Sequence, residues 1–144
     1  MSLKCLSMVQ PWASLVVHGC KSLETRSWAT RHRGLLAIHA CRKIPEPVRG
    51  LCQEEPFRSI LLRLGYKSWL DLPTSAVLGT VQLVDCRPMV EIARLRAEEE
   101  TLGDFRPGRW AWVFTQPTAF ANPVPFIGKL GVFEISDGAL ARTE

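Results

Sequence analysis

The chain has 144 residues, 47% of them apolar, with 18 Lys and Arg against 14 Asp and Glu. A chain of this length buries enough surface to fold as a single domain over 1–144 without disulfides or a metal, and its apolar content excludes an intrinsically disordered class. No run approaches the roughly 18 consecutive apolar residues of a membrane helix, and Met1 to Leu6 lacks the apolar core of a secretory signal, so a cytoplasmic location is expected.

The net charge of +4 conceals an asymmetry. Residues 1–50 carry three Lys and five Arg against Glu24 and Glu46, a net +6, while residues 51–144 carry a net −2. Such a bias is either a solvated basic face or an electrostatic footprint for phosphate. The five cysteines (5, 20, 41, 52, 86) form no CxxC pair, and the three histidines (18, 32, 39) have no ligand spacing. Reduced thiols and no metal site are expected.

In chain order, Leu6–Val9 reads as a short strand. Pro11 fits the first position of a helix that Gly19 ends, with Trp12, Leu15 and Val16 on its inward face. Residues 22–29 read as a strand, with Glu24, Arg26 and Trp28 on one face and Leu23, Thr25 and Ser27 on the other. Thr30–Gly34 is a basic turn. Leu35–Cys41 is an apolar strand containing His39. Ile44–Gly65 is helix-like but interrupted by Pro45, Pro47 and Pro56, and its clearest helical piece is Phe57–Leu64. Ala76–Cys86 has the apolar run of a central strand. A helix is predicted over Pro88–Glu100, with the acidic run Glu98–Glu100 at a solvated end. Arg109–Thr115 alternates as a strand, with Trp110, Trp112 and Phe114 on one core-facing side. Gln116–Pro125, with three prolines, reads as a loop or edge segment, and Leu130–Ile135 as a last strand. Five or six strands with small helices between them point to an α+β chain on a curled or closed sheet.

The densest cluster of chemistry lies in residues 10–33: Gln10, Trp12, Lys21, Glu24, Arg26, Trp28, Arg31 and Arg33. One reading is a structural ion-pair set, each exposed pair contributing about 0–1 kcal/mol. The other is a pocket. Glu24 accepts from a base edge, Arg26 holds a phosphate or Glu24 itself, and Trp28 stacks. Lys21 contacts phosphate, or acts as a base if desolvated beside Arg26. His39, between Ile38 and Ala40, reads as a core histidine ahead of a catalytic one.

Three blocks carry a resemblance to a known family: Leu6-Ser-Met-Val-Gln-Pro-Trp-Ala-Ser-Leu, Gly19-Cys-Lys-Ser-Leu-Glu-Thr-Arg-Ser-Trp, and Arg33-Gly-Leu-Leu-Ala-Ile-His-Ala. They resemble the ASCH (activating signal cointegrator homology) family. Leu78–Asp85, Gly103-Asp-Phe-Arg-Pro-Gly-Arg-Trp-Ala-Trp and Gly128-Lys-Leu-Gly-Val-Phe-Glu fit as well. The resemblance implies a PUA-like mixed or antiparallel β-barrel of five to six strands with short flanking helices. It implies a cleft beside the first helix lined by Gln10, Trp12, Lys21, Glu24 and Arg26.

It further implies RNA as partner, single-stranded or in a structured loop, often with a modified or flipped base. Arg26, Arg31, Arg33 and Lys129 would then meet phosphates, and Gln10, Lys21, Glu24 and Trp28 would form the base pocket. One related branch resembles amidohydrolases acting on N4-acetylcytidine, where the segment reads Lys-x-x-Thr; here the matching position is Glu24. Another resembles ribonucleases, for which Lys21 and Glu24 would be the acid–base pair. No cofactor is implied by any of these readings. The cointegrator association adds a protein-interaction adaptor as a third class, whose partner the sequence does not rank.

Overall fold

The computed structural model describes residues 2–92, 102–104, 106, 108–136 and 138–140. Six strands form one mixed sheet: β1 (Ser2–Met8), β2 (Leu23–Arg26), β3 (Gly34–Ala40), β4 (Ala76–Pro88), β5 (Trp110–Pro125) and β6 (Val132–Ser136). The spatial order is β2-β5-β4-β3-β1-β6. Among the described residues only β1 and β3 run parallel, and the other pairs are antiparallel. Helix α1 (Trp12–Val17) follows β1, and α2 (Glu46–Leu51) and α3 (Phe57–Arg63) follow β3.

The expected β-barrel is present in a partly open form. Backbone pairing does not close the sheet among the described residues, but its curl brings β2 opposite β1 and β6. Arg26 on β2 reaches the Ser7 carbonyl on β1. A β-carbon placed on Gly131 would lie 3.7 Å from the Trp28 ring.

The strand alternation described above sorts side chains into separate cores. Leu6, Met8, Leu36 and Ile38 pack with Val16 and Val17 of α1 and with Trp112 and Phe114 of β5. Trp112 is fully buried, as its period predicts, and Trp110 is half-buried against the same cluster. Leu15, Ile44, Phe57, Ile60, Leu61 and Leu102 form a second core under α2 and α3, with Trp12 packed on it. Cys5, Ala37, Val77, Val124, Phe133 and Ile135 form a third.

One open alternative is decided by the structure, and one predicted element differs from what is found. Of the two readings of Gln116–Pro125, loop or edge segment, the second is found: β5 runs on to Pro125 beside β4. The neighbour on its other side, β2, pairs only with Trp110–Val113, so beyond that point β5 is an edge, where a missing amide donor is tolerated. Register shifts in the β4–β5 ladder take up the rest of the irregularity. At Pro88 no α-helix opens: β4 continues through Pro88, and Met89–Glu91 is a single 3-10 turn followed by extended Ile92. Residues 93–100 of that predicted helix lie outside the described residues, as does the acidic run Glu98–Glu100. No helix of the described chain is long and apolar enough to cross a membrane.

Candidate functional site

Parallel pairing of β1 and β3 places their C-terminal ends at one edge of the sheet, and the curl sets β2 opposite. A cavity of about 540 Å³ opens between them, within the roughly 300–1,000 Å³ usual for ligand sites. Ser7, Val9 and Cys41 form its strand-end wall, Trp12 and Phe57 its aromatic wall, and Lys21, Glu24, Thr25 and Arg26 its charged wall. Leu102, Gly103, Asp104 and Arg109 close the far side.

The charged wall is one connected network. Lys21 Nζ lies 3.3 Å from Glu24 Oε1 and also donates to the Leu23 carbonyl. The second carboxylate oxygen, Glu24 Oε2, accepts from Arg26 Nη2 at 3.1 Å. The same guanidinium nitrogen donates to the Ser7 carbonyl at 2.9 Å. Lys21 is buried, its side chain 1% exposed, against 14% for Glu24 and 22% for Arg26. Burying these charges is costly unless they remain paired, which is why three residues so close in sequence hold one another. Arg26 Nε is buried with no partner among the described residues.

Across the cavity, Thr25 Oγ1 donates to the Asp104 carbonyl, and Arg109 donates to Thr25 Oγ1 at 3.0 Å and to the Thr25 carbonyl at 2.8 Å. Asp104 is held down to about pKa 2 by hydrogen bonds from Arg106, with the charges of Arg106 and Arg109 adding to the effect. Burial pushes the Cys41 thiol up, opposed by the Arg26 charge. Trp12 donates from Nε1 to the Leu102 carbonyl at 2.7 Å and meets the Phe57 ring edge-on.

Of the residues singled out in the sequence, Trp12, Lys21, Glu24 and Arg26 line this cavity. Gln10 does not: it is fully buried, donating to Ser14 Oγ and the Pro73 carbonyl and accepting from the Ser14 amide, so its amide serves the start of α1. Trp28 lies past the end of β2, half out of the protein and edge-on to Trp112 at 4.9 Å, behind Gly131 of the cavity rim. Arg31 and Arg33 are exposed on the β2–β3 connection; Arg33 donates to the Thr30 and His32 carbonyls and lies 3.8 Å from Asp85. Lys129 lines a second concavity next door. His39 is a satisfied core histidine, 3% exposed, with Nδ1 3.1 Å from Ser7 Oγ and Nε2 2.7 Å from the Phe126 carbonyl.

The basic bias of residues 1–50 is dispersed in space. Lys4 pairs with Glu134, Arg49 stacks over Trp69, and only Lys21, Arg26 and Arg42 reach the two concavities. Sequence reading missed Ser7, Thr25, Cys41, Phe57, Asp104 and Arg109 as cavity residues. The usable signal for four of them was the resemblance, whose quoted blocks hold Ser7, Thr25, Asp104 and Arg109. Among the described residues no three His, Cys, Asp or Glu side chains cluster as metal ligands.

Comparison with known proteins places this geometry. Activating signal cointegrator 1 from Mus musculus is 45% identical over 82 residues, covering 57% of this chain and 14% of that protein. The Homo sapiens protein of the same name is 44% identical over 82 residues, again 57% of this chain and 14% of its own length. The chain thus spans about one seventh of these relatives. The crystal structure of ASCH from Zymomonas mobilis superposes with a TM-score of 0.55 at 12% identity, covering 94% of this chain and 89% of that one. A single-substitution variant of it gives 0.52 at 11% identity, covering 96% and 94%. At that identity the likeness is one of fold. The ASCH domain model matches residues 6–124, and the chain belongs to the ASCH family.

Proposed function

We propose that the cavity receives one nucleobase of a single-stranded or loop RNA, and that the protein is an RNA-binding module. The family's general association with RNA supplies the partner class, and the cavity supplies the chemistry. Glu24 and Arg26 offer an acceptor and donors to a base edge, while Trp12 and Phe57 give an apolar wall against which a ring packs. Trp28, half-exposed at the rim, meets a flanking base, and Arg31 and Arg33 meet backbone phosphate. The observation that carries this reading is Arg26 itself: a guanidinium in the wall of an open cavity, its side chain 22% exposed and held beside the Glu24 carboxylate.

Fluorescence anisotropy with labelled single-stranded RNA tests it. Arg26→Ala and Glu24→Ala, once shown to be folded, weaken binding by about tenfold or more, and parent binding weakens as salt rises. Variants that bind as the parent does overturn the reading.

The second reading is a hydrolase acting on RNA or an N4-acylated cytidine, with Lys21 and Glu24 as its acid–base pair. It is favoured by their 3.3 Å contact in a sheltered cavity. Against it, Lys21 donates to both a carbonyl and a carboxylate, the arrangement of an ammonium rather than of a free base. Incubation with N4-acetylcytidine and with labelled RNA decides: turnover abolished in Lys21→Met supports the enzyme, and absence of turnover removes it.

A further inference from the structure

A second concavity of about 350 Å³ adjoins the first, the two sharing Ser7, Cys41 and Leu130 as a common wall. Their electrostatics differ. In the first, Glu24 and Asp104 are present and already committed to cations. In the second, Arg42, Lys129 and Ser75 contribute donors, and among the described residues no carboxylate lines it. Among the described residues neither Arg42 nor Lys129 has an ion-pair partner, and the Ser75 hydroxyl has no hydrogen-bond partner. Two cations and a hydroxyl around an acid-free hollow are complementary to an anion.

The hollow is also built. Ser7, in the shared wall, donates from Oγ to the Lys129 carbonyl at 2.7 Å and so pins the segment that carries Lys129. His39 lies under that segment, and a β-carbon at Gly128 would come within 2.4 Å of its ring. Glycine at 128 therefore lets the segment settle onto the imidazole.

We infer that this second hollow takes a phosphate joined to the nucleoside whose base fills the first cavity. The ligand is then a nucleotide or a phosphodiester strand, not a free nucleoside. This rests on the base-cavity reading above. One cavity with an apolar wall and nearly balanced charges suits a base; its neighbour suits the charge attached to that base. Leu130, 94% exposed between the two, offers an apolar contact to the sugar.

Isothermal titration with the four ribonucleosides, their 3′- and 5′-monophosphates and inorganic phosphate tests the inference. Quenching of tryptophan fluorescence, to which Trp12 contributes, reports filling of the first cavity. For the preferred base, one monophosphate binds about tenfold tighter than the nucleoside. The double variant Arg42→Ala/Lys129→Ala loses that gain and keeps the nucleoside affinity; both side chains are exposed, so the fold is retained. Equal affinity for nucleoside and monophosphate, or a gain that survives the double substitution, overturns the phosphate subsite and leaves the base cavity standing. If nucleosides, monophosphates and single-stranded RNA are all silent, the base-cavity reading falls, and this inference with it.

Discussion

Arg26 donates to the main-chain carbonyl of Ser7 at 2.9 Å, joining two strands that three others separate in the sheet order. The same guanidinium nitrogen also meets Glu24. One side chain thus fastens the curl of the sheet and orders the charged wall of the cavity. Arg26→Lys keeps the charge but not the planar fork, and a single ammonium on a shorter reach does not serve both partners equally. We expect a loss of about 1–2 kcal/mol, seen as a fall in Tm of roughly 2–6 °C, together with weakened RNA binding. Thermal melts and anisotropy on the same variant check both.

Glu24→Gln leaves the buried Lys21 ammonium with the Leu23 carbonyl but without its carboxylate. Removing one partner of a buried pair costs about 3–5 kcal/mol. Lys21→Met removes the buried charge instead and costs less. Urea denaturation of the two variants gives the order; a Glu24→Gln protein as stable as the parent contradicts the buried-pair account.

Asp104 titrates at about 2, below its ordinary 3.8, chiefly because Arg106 hydrogen-bonds the carboxylate. A depressed folded value means that its contribution is complete above about pH 4 and is lost as pH falls from there towards 2. The Asp104 carboxyl ¹³C shift followed by NMR shows the low midpoint, and Arg106→Ala moves it up towards 3.8.

Burial pushes the Cys5 thiol up to about 12, and its side chain is fully enclosed between β3 and β6. The thiolate is the reactive form. Cys5 therefore resists alkylation at pH 8 until the protein unfolds, while half-exposed Cys86 reacts in the native state. Mass spectrometry of iodoacetamide-treated protein, native and in urea, reads the difference.

Gly128→Ala places a methyl 2.4 Å from the His39 ring, which is held at both nitrogens by Ser7 and the Phe126 carbonyl. Overpacking of this kind costs about 1–3 kcal/mol. A lowered Tm is expected, with a further loss of any phosphate-dependent gain in binding because Lys129 is displaced with its backbone.

Much of the fold was legible in the sequence because strand period, Pro and Gly punctuation and apolar runs are local properties. Alternation in residues 23–26 put Glu24 and Arg26 on one face, and both do line the cavity. Trp112 and Phe114 announced the core side of β5 in the same way. Local rules left open what long-range pairing decides. The prolines of 116–125 leave loop and edge segment both open, and pairing with β4 decides for the edge strand.

The site divides along the same line. Sequence by itself determined that a lysine, a glutamate and an arginine would share one electrostatic environment, because three residues within six positions cannot be far apart. Only the tertiary structure decided that Lys21 would be buried and Arg26 part-exposed in the cavity wall, that Gln10 would turn inward to Ser14 and Trp28 outward, and that Asp104, Arg109 and Phe57 would complete the walls. The physical reason is the curl of the sheet: it sets β2 against the ends of β1 and β3, and the hollow between them exists in no single stretch of chain.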